Sequence, residues 1–515
     1  MTHLVDARRH EAQAGIRQSA PWLTGLSALS SFPVGLWLAG VMAACATANP
    51  VDEKAEIVPL AVFDAPPDPP DPPSQPSTKA VLLRGGTIMT ATGTRFEPGF
   101  VLLSDGKIAA LGPGEPEAAI DAEIIDVSGR TVTPGLIDTH SHIGVYALPS
   151  VWAHWDGNEG TRPITAEVWA EHSFWPQDPA IWRALSGGVT TIQVLPGSAN
   201  LIGGRSFTAK LRPATSARNM RFPGAPQGLK MACGENPKGV YGRSKGTYPS
   251  TRMGNVAAYR KAFQEALEYK RRWDRYERDL DAYVARRARG ERKGSEKADD
   301  PPEPPTRDHS LESLKGVLEG KLLVHNHCYR ADEMSVMLDL AKQYGFQIRS
   351  FHHALEAYKL RHRLTAENVS VSTWSDWWGF KMEALDGVPQ NLALLHDAGV
   401  RAIVHSDSST EIRHLNQEAA KARTAGTKIG LHISDDDVLR WLTANPAWAL
   451  GIDDKVGTLE VGKMADVVVW SGDPFSVYTR ADIVYVDGAV VYDRHHGVAP
   501  PSDFEAGLQH GEVPR

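Results

Sequence analysis

Short apolar runs alternate with helical segments through the middle of the chain. The runs are VTTIQVLPG, GLKMACGE, KLLVHNHC, FQIRSFHH, VSVSTW and RAIVHSD, and each one ends in polar or chemically reactive residues. Between KLLVHNHC and FQIRSFHH, apolar residues recur at helical spacing from Met334 through Leu338 to Ala341, and Gly345 ends the pattern. This alternation predicts a parallel sheet covered by helices, with the chemistry at the strand ends, as in a (β/α)8 barrel.

Two β-prone segments flank this middle region. Residues 79–133 contain short runs of β-forming residues separated by Gly, Asp-Gly and Ser-Gly turns, and residues 455–497 repeat the pattern. We therefore predict a small antiparallel β-sandwich domain that is assembled from both segments. The barrel is predicted to span residues 134–454 between them.

A charged stretch at about residues 257–310 interrupts the barrel pattern. It starts as an aromatic-studded helix and ends in a polar, proline-rich loop. Because its Arg and Lys residues are interleaved with Asp and Glu, the pattern favours a solvated helix face over a nucleic-acid site. We predict an insertion after the fourth barrel strand that mostly faces solvent.

The N-terminal segment at 1–45 is typical of a bacterial export signal. Three arginines among the first 17 residues precede an apolar run that ends in small residues before Cys45. The stretch MAAC, residues 42–45, resembles a lipoprotein processing site with Met in place of the usual Leu. Lipidation of Cys45 would anchor the protein in the periplasm or cell envelope. An uncleaved membrane anchor and a misassigned start codon are the alternatives.

The segments that follow the signal and close the chain carry few packing residues. Residues 46–78 include DAPPDPPDPPSQPS, which predicts an extended linker, and residues 498–515 form a polar tail. Beyond Cys45 only Cys233 and Cys328 remain, so the sequence offers no disulfide framework.

Composition narrows the classes of function. A hydrophobic fraction of 42% is typical of a globular protein, and 515 residues suffice for a large barrel with additions. The formal net charge of −7 provides no general basic surface, which disfavours nucleic-acid binding. We expect a small-molecule substrate, and a homo-oligomer remains compatible with the sequence.

Metal-ligating residue types cluster at the predicted strand ends. In TPGLIDTHSHIGVY, His140 and His142 lie two residues apart, so a strand presents both on one face. This pair alone is equally compatible with incidental histidines at a strand end. Seven such side chains nevertheless fall at strand ends, which predicts a metal site: His140, His142, His325, His327, His352, His353 and Asp407.

These motifs resemble the metal-dependent amidohydrolase superfamily. PGLIDTHSH, the later strand-end histidines, HSD and the split β domain are similar in order to those of imidazolonepropionases and Xaa-Pro dipeptidases, over about residues 80–495. The resemblance implies a barrel hydrolase that holds one or two divalent metals, commonly Zn²⁺. Such an enzyme attacks a carbon atom bonded to nitrogen.

The resemblance also implies a ligand set. It consists of His140, His142, Lys230, His325, His353 and Asp407. His353 is preferred over His352 because the small residue Ala354 follows it, and His327 would then face the substrate. Lys230 would be carboxylated to bridge two metals, with Glu235 as the rival ligand.

The same resemblance suggests the catalytic roles. Metal would activate water, Asp407 would carry the proton to the leaving nitrogen, and His327 would stabilise the oxyanion. Weaker candidates for substrate contacts are Arg205, Glu235, Tyr146 and Lys381, for which turns or ordinary packing are the alternative. The predicted activity is hydrolysis of a cyclic amide or a peptide-type bond. Deamination of a small heterocycle and a non-catalytic, ligand-binding barrel lipoprotein are the alternatives.

Overall fold

The computed structural model describes residues 79–116, 121–290 and 300–496, which form two eight-stranded sheets and their helices. The predicted export signal with Cys45, the linker and the tail at 498–515 lie outside the described residues. In the described part of the chain, no helix is both long and apolar enough to cross a membrane.

The first sheet combines strands from both ends of the described chain. Its strands are β1 (Val81–Met89), β2 (Arg95–Ser104), β3 (Lys107–Pro113), β4 (Glu123–Asp126), β5 (Thr131–Pro134), β14 (Val467–Trp470), β15 (Ala481–Val486) and β16 (Ala489–Asp493). They lie in the order β16-β15-β14-β5-β1-β2-β3, and β4 pairs with β1. Antiparallel pairing of β14 with β5 joins the two chain segments. The sheet is mixed, since β1 pairs in parallel with both β4 and β5.

This sheet has a hydrophobic core of its own. Alternate side chains of its strands point to one face, where Leu83, Val101, Val132, Val467 and Tyr485 are buried in a single cluster. The period-two pattern that predicted these strands is therefore the pattern that fills this core.

The second sheet is the barrel. Its strands are β6 (Leu136–Ser141), β7 (Val189–Val194), β8 (Ile202–Lys210), β9 (Gly228–Ala232), β10 (Leu323–Cys328), β11 (Ile348–His353), β12 (Ser370–Thr373) and β13 (Ala402–Val404). They follow one another in chain order from β6 to β13. The predicted fold class, a barrel with a β domain built from flanking segments, is confirmed.

Strand β8 departs from the predicted all-parallel arrangement. It runs antiparallel to both of its neighbours, β7 and β9. Only residues 195–201 connect β7 to β8, and a parallel crossover needs a dozen or more residues, so the chain turns back directly. Gly203 and Gly204, for which a turn was the alternative to a substrate contact at Arg205, lie within this strand.

Hydrogen bonds join the first and last barrel strands at the end where the histidines lie. The Asp407 backbone N–H donates to the His140 carbonyl over 3.0 Å, and the Ser406 N–H donates to Asp138 over 3.2 Å. These contacts place the tip of β6 beside the residues that follow β13.

Helices surround the barrel. They are α1 (Pro179–Ser186), α2 (Ala217–Met220), α3 (Glu235–Lys238), α4 (Arg252–Ala288), α5 (His309–Leu318), α6 (Ala331–Tyr344), α7 (Arg361–Ala366), α8 (Asn391–Asp397), α9 (Leu415–Thr427), α10 (Asp435–Leu442) and α11 (Ala444–Leu450). The apolar stripe of α6 is buried as its spacing predicted, and Gly345 ends the helix in a left-handed conformation.

Helix α4 contains most of the predicted insertion, and it is more buried than expected. Tyr259, Phe263 and Tyr269 lie on one face, four and six residues apart, and are fully buried. The Tyr259 hydroxyl lies 2.7 Å from the carbonyl oxygens of Leu201 and Ala232, beside the ends of β8 and β9, and its one proton is donated to one of them at a time. Helix α4 therefore carries a buried aromatic stripe, of which Tyr259 and Phe263 pack into the core of the barrel and Tyr269 packs in a separate cluster beside α5.

A buried ion-pair cluster connects the barrel to the first sheet. The Lys210 Nζ atom lies 3.0 Å from Asp466 and also contacts Asp487, which accepts a second hydrogen bond from Arg212. Because β8 is antiparallel, its last residue, Lys210, lies at the opposite end of the barrel from the strand-end histidines.

Candidate metal centre

Two groups of side chains converge where the parallel barrel strands end. One group is His140, His353 and His405, and the other is His140, His142 and Asp407. Within each group the potential ligand atoms lie within 4.8 Å of one another. His140 belongs to both groups, so the two form one continuous cluster.

The side chain of His142 is oriented by a backbone carbonyl. Its Nδ1 atom lies 2.8 Å from the Leu195 oxygen, which can only accept, so Nδ1 carries the proton. The Nε2 atom, 3.2 Å from Asp407 Oδ1, therefore presents a lone pair in the neutral ring and donates to Asp407 only when the ring is protonated. Orientation of one ring nitrogen by a hydrogen bond at the other is the usual arrangement of a metal-ligating histidine.

The carboxylate of Asp138 forms hydrogen bonds at the tip of β6. It is fully buried and accepts hydrogen bonds from the backbone N–H of His140 and from Ser406. Burial raises the pKa of Asp138 to about 7, although these hydrogen bonds oppose the shift. Asp138 thus connects β6 to the segment after β13 and fixes the backbone that carries His140.

His352 lies between two other histidines. Its Nδ1 atom is 2.9 Å from His140 Nδ1, and its Nε2 atom is 2.9 Å from His325 Nδ1. Both of its ring nitrogens are thus engaged, whereas the Nδ1 atom of His353 is buried and makes no hydrogen bond to a described residue. The structure brings His353, not His352, into the converging groups.

The backbone is strained at two positions of the cluster. His353 has a φ angle of 68° and Asp407 a φ angle of 51°, both in the left-handed region that non-glycine residues rarely occupy. Such strain persists where surrounding contacts fix the residue, and it concentrates at functional sites. For His353, one such contact is the hydrogen bond from its N–H to His405 Nε2, 3.2 Å long.

Asp407 lies near three of the imidazoles. Its carboxylate oxygens are 3.6 Å from His140, 3.2 Å from His142 and 4.0 Å from His353. Burial alone would raise the pKa of the Asp407 carboxyl, but the hydrogen bond and charge of His142 hold that pKa below its ordinary value. The group is therefore an anion that faces several potential metal donors.

Lys230 points into the barrel beside this cluster. It is 1% exposed, and its Nζ atom donates to the Pro196 carbonyl over 3.0 Å. No carboxylate of a described residue forms an ion pair with it. Burial lowers the pKa of Lys230 to about 7, so a large fraction of the amine is neutral near neutrality.

The donor atoms fit a divalent metal of the zinc type. Among the described residues, buried ring nitrogens without a hydrogen-bond partner are His140 Nε2, His325 Nε2, His327 Nε2, His353 Nδ1 and His405 Nδ1. Buried polar atoms normally have partners, so this concentration of unpaired nitrogens at one place requires an explanation. Imidazole and carboxylate groups, whose potential ligand atoms here lie within 4.8 Å of one another in each group, are donor types that zinc prefers.

His325 and His327 lie on the same inward face of β10, at different depths. His327 is two residues nearer the strand end, and its ring centre is 4.4 Å from that of His353. Its Nδ1 atom is 2.9 Å from the Ser198 hydroxyl, which leaves Nε2 without a partner. His325 pairs in register with Lys230, and its Nδ1 atom contacts the cluster through His352.

Three predicted substrate contacts lie around the cluster, each already engaged. The Tyr146 hydroxyl donates to Asn158 over 2.6 Å, and its ring meets His142 edge-on. The Lys381 Nζ atom lies 3.3 Å from Glu235 and 3.8 Å from the centre of the Tyr329 ring. Because its charge is neutralised by carboxylates, Lys381 offers no free cation to an anionic substrate.

Arg205 lies away from the cluster, contrary to the predicted substrate contact. In the pairing of β8 with β9, Gly204 is opposite Lys230 and Arg205 is opposite Leu229. Side chains alternate along a strand, so Arg205 points out of the barrel. There it donates to Ser313 and Gln227.

A disulfide lies beside the cluster and was not expected from the sequence. It joins Cys233 to Cys328, immediately after β9 and at the end of β10. Cys328 pairs in register with His353, and the Cys233 N–H donates to the His327 carbonyl. The bond therefore links the two strands that carry Lys230 and His327.

Several other residues of the centre were missed because their roles depend on tertiary contacts. Tyr329 and Trp374 stack on His353 with ring centres 5.2 and 4.4 Å away. His405 was visible in the HSD motif, yet nothing in the sequence indicated that its ring turns toward His353. Asp138 was visible in the first motif, and its burial was not.

A cavity of about 470 Å³ lies next to the centre. Pro196, whose carbonyl binds Lys230, and Asn158, which binds Tyr146, line it together with Trp155 and Trp169. Two lining residues thus contact side chains of the centre, although none of its donors lines the cavity itself, and the cavity has room for a small molecule.

Comparison with known proteins identifies relatives of the chain. A model of the amidohydrolase family matches residues 324–492. Amidohydrolase tasK of Hapsidospora irregularis is 34% identical over 417 residues, which cover 77% of this chain and 40% of tasK. The imidazolonepropionase of Sphingopyxis alaskensis is 24% identical over 410 residues, which cover 76% of this chain and 89% of that protein. The crystal structure of an amidohydrolase from Thermotoga maritima has a TM-score of 0.68 and 34% identity, covering 80% of this chain and 100% of that chain.

Proposed function

Because the chain belongs to the amidohydrolase family, we propose that it is a metal-dependent hydrolase of a carbon–nitrogen bond in a cyclic amide or a peptide-type amide. The observation that carries the proposal is the convergence of His140, His142, His353 and Asp407 with unpaired ring nitrogens. A barrel that served only as a binding scaffold would not need to retain this complete donor set.

The proposed ligands are His140, His142, Lys230, His327, His353 and Asp407. His327 replaces the predicted His325 because the ring of His327 lies 4.4 Å from that of His353, whereas His325 contacts the centre through His352. In this arrangement His327 is a metal donor and not the group that stabilises the oxyanion. His405 is excluded because its Nε2 atom already accepts the N–H of His353, so a neutral ring carries its proton at Nδ1.

Lys230 is proposed to be carboxylated and to bridge two metals. Reaction with carbon dioxide requires the neutral amine, and burial lowers the pKa of Lys230 to about 7. The reaction forms a nitrogen–carbon bond, releases a proton and turns the amine into an anionic carbamate. The rival, Glu235, is less suited, since its carboxylate pairs with Lys381.

The chain contributes a proton carrier beside the donors. A divalent metal at this position would supply Lewis acidity, which activates water and polarises a carbonyl group. Asp407, kept ionised by His142, is placed to accept a proton from the attacking water and deliver it to the leaving nitrogen. Tyr146 and Trp374 bound the reaction space on two sides.

Deamination of a small heterocycle is the second candidate function. Tyr329 and Trp374 stack on His353, and Trp377 stacks on Trp374 with an angle of 7° between the rings. These flat aromatic surfaces are suited to a planar ring. Deamination would use the same donors and the same proton carrier, with ammonia as the leaving group.

Metal analysis followed by a substrate screen tests the proposal. Purified protein should contain one or two divalent ions per chain, and chelation should abolish a hydrolytic activity that Zn²⁺ restores. The screen should include dipeptides, lactams, hydantoin-like rings and aminated heterocycles, with ammonia release measured separately to distinguish a deaminase. Protein that binds no divalent metal at micromolar concentration would contradict the proposal.

We further propose that the protein is exported and held at the cell envelope through a lipidated Cys45. The export-like segment motivates this idea, and the disulfide between Cys233 and Cys328 supports it, because disulfides persist in oxidising compartments. Intact-mass measurement of the native protein tests it. A chain that starts at Cys45 with attached lipid is expected, whereas an unprocessed leader would favour a plain anchor.

A further inference from the structure

Three buried histidines form a continuous hydrogen-bonded chain that starts at the candidate metal centre. His140, His352 and His325 are all 0% exposed. His140 Nδ1 is 2.9 Å from His352 Nδ1, and His352 Nε2 is 2.9 Å from His325 Nδ1. The two end atoms, His140 Nε2 and His325 Nε2, make no hydrogen bond to a described residue.

The number of protons in this chain limits what its two ends can do. Three uncharged imidazole rings carry three N–H protons, one each, and every N···N hydrogen bond between them needs one proton and one lone pair. Two of the three protons are used in the two hydrogen bonds. The third must sit on one of the end atoms, His140 Nε2 or His325 Nε2.

Only one end of the chain can therefore be a metal donor, because a donor nitrogen must present a lone pair. Lone pairs at both ends would leave only two protons, one in each hydrogen bond. One of the three rings would then have to be an imidazolate. His140 belongs to both converging groups, whereas His325 lies two residues before His327 in β10 and contacts His140 through His352. Metal binding at His140 Nε2 thus selects one direction of the chain.

We infer that His352 fixes the tautomer of His140 and that His325 is the protonated end of the chain, not a metal ligand. In this direction, His140 Nδ1 donates to His352, His352 Nε2 donates to His325, and His325 carries its proton at Nε2. The inference rests on the proposed metal site. His352 and His325 are positioning residues, which hold the His140 lone pair toward the metal.

A matched pair of variants on β10 distinguishes a metal ligand from the last histidine of the hydrogen-bonded chain. In His325→Asn, the side-chain oxygen can take the place of Nδ1 as acceptor, so metal stoichiometry should be retained. His327→Asn, two residues away on the same face, should lose metal. Metal content by mass spectrometry, with thermal unfolding of each metal-free variant as the folding control, gives the comparison. Loss of metal from a folded His325→Asn protein would overturn the inference.

A second pair of variants tests the middle of the chain. His352→Asn keeps an acceptor for the His140 N–H, whereas His352→Leu removes it at similar volume. His352→Leu should weaken metal affinity by roughly 10–100-fold, the usual cost of losing an outer hydrogen-bond partner, and His352→Asn should restore most of it. Equal affinities in the two variants, measured by chelator competition, would contradict the positioning role.

Neutron diffraction from the zinc-loaded wild-type protein in deuterated solvent locates the ring protons as deuterium. It therefore determines the histidine tautomers without any substitution. We expect deuterium at His140 Nδ1, His352 Nε2 and His325 Nε2. Deuterium at His352 Nδ1 would reverse the chain and overturn the inference even if the enzyme is an active metal hydrolase. Protein that takes up no metal would instead contradict the proposed function itself, so the two failures are distinguishable.

Discussion

The two ends of the barrel each bury a lysine, and the two lysines have opposite surroundings. Lys210 and Lys230 are 0% and 1% exposed and belong to the neighbouring strands β8 and β9. Lys210 contacts two carboxylates, those of Asp466 and Asp487. Lys230 contacts a backbone carbonyl and lies among neutral imidazoles.

This difference distinguishes a structural ion-pair cluster at Lys210 from a candidate functional site at Lys230. A buried charge is tolerated when it is paired and hydrogen-bonded, and Lys210 meets this requirement within the protein. Lys230 and the unpaired histidine nitrogens do not meet it, so their end of the barrel is incomplete without additional groups. A carbamate on Lys230 and divalent metals would supply the missing charge balance.

The largest expected effect comes from removing a central donor. His353→Ala should abolish metal binding and reduce turnover by more than the roughly 10–100-fold that loss of an outer hydrogen-bond partner costs. His352→Ala should retain more metal than His353→Ala, because both nitrogens of His352 are engaged by other histidines. Metal content and kcat of the two variants decide between them, and the opposite order would reverse the assignment.

Loss of the proton carrier should have the next largest effect. Asp407→Asn preserves the shape of the side chain but removes the base, so kcat should fall by at least about 10²-fold. Metal content should fall less than kcat, because the histidine donors remain. Near-normal turnover of Asp407→Asn would place proton transfer on another group.

A substitution at each buried lysine tests the comparison directly. Lys230→Ala should lose roughly one metal equivalent, and metal loading of the wild-type protein should depend on bicarbonate. Lys210→Met should keep its metal but lower the free energy of unfolding by about 3–5 kcal/mol, since two aspartates lose their partner.

Glu235→Gln should also keep its metal. If Glu235→Gln loses metal and Lys230→Ala does not, Glu235 is the bridging ligand.

The smallest expected effect, taken per pH unit, is a pH dependence of stability in the metal-free protein. Burial lowers the pKa of Lys230 from 10.5 to about 7, so folding releases a proton between these values. The free energy of unfolding should therefore rise with pH in this window, by up to about 1.4 kcal/mol per unit, and show no such slope below pH about 7. Urea unfolding of wild type and Lys230→Met measures it. Identical slopes in both proteins would contradict an unpaired Lys230.

Local sequence patterns were sufficient for the fold class and for the location of the centre. Period-two strands and strand-end histidines such as His140 and His353 are set by residues close in sequence, so they could be predicted. The split β domain followed in the same way from similar patterns at 79–133 and 455–497.

Features that depend on pairing between distant segments could not be predicted. The antiparallel direction of β8 follows from a short connection, and that direction turns Arg205 out of the barrel. His352 was indistinguishable from a neighbouring ligand until its contacts with His140 and His325 were known. The disulfide at Cys328 likewise depends on the approach of two strand ends.

Anomalous diffraction at the zinc absorption edge, from crystals of the zinc-loaded protein, tests the central claim most directly. The account predicts one or two anomalous peaks at the end of the barrel where the strand-end histidines lie. The peaks should be about 2.0–2.2 Å from the donor atoms of His140, His142, His353 and Asp407. A protein that hydrolyses its substrate while its crystals show no peak among these residues would contradict the account.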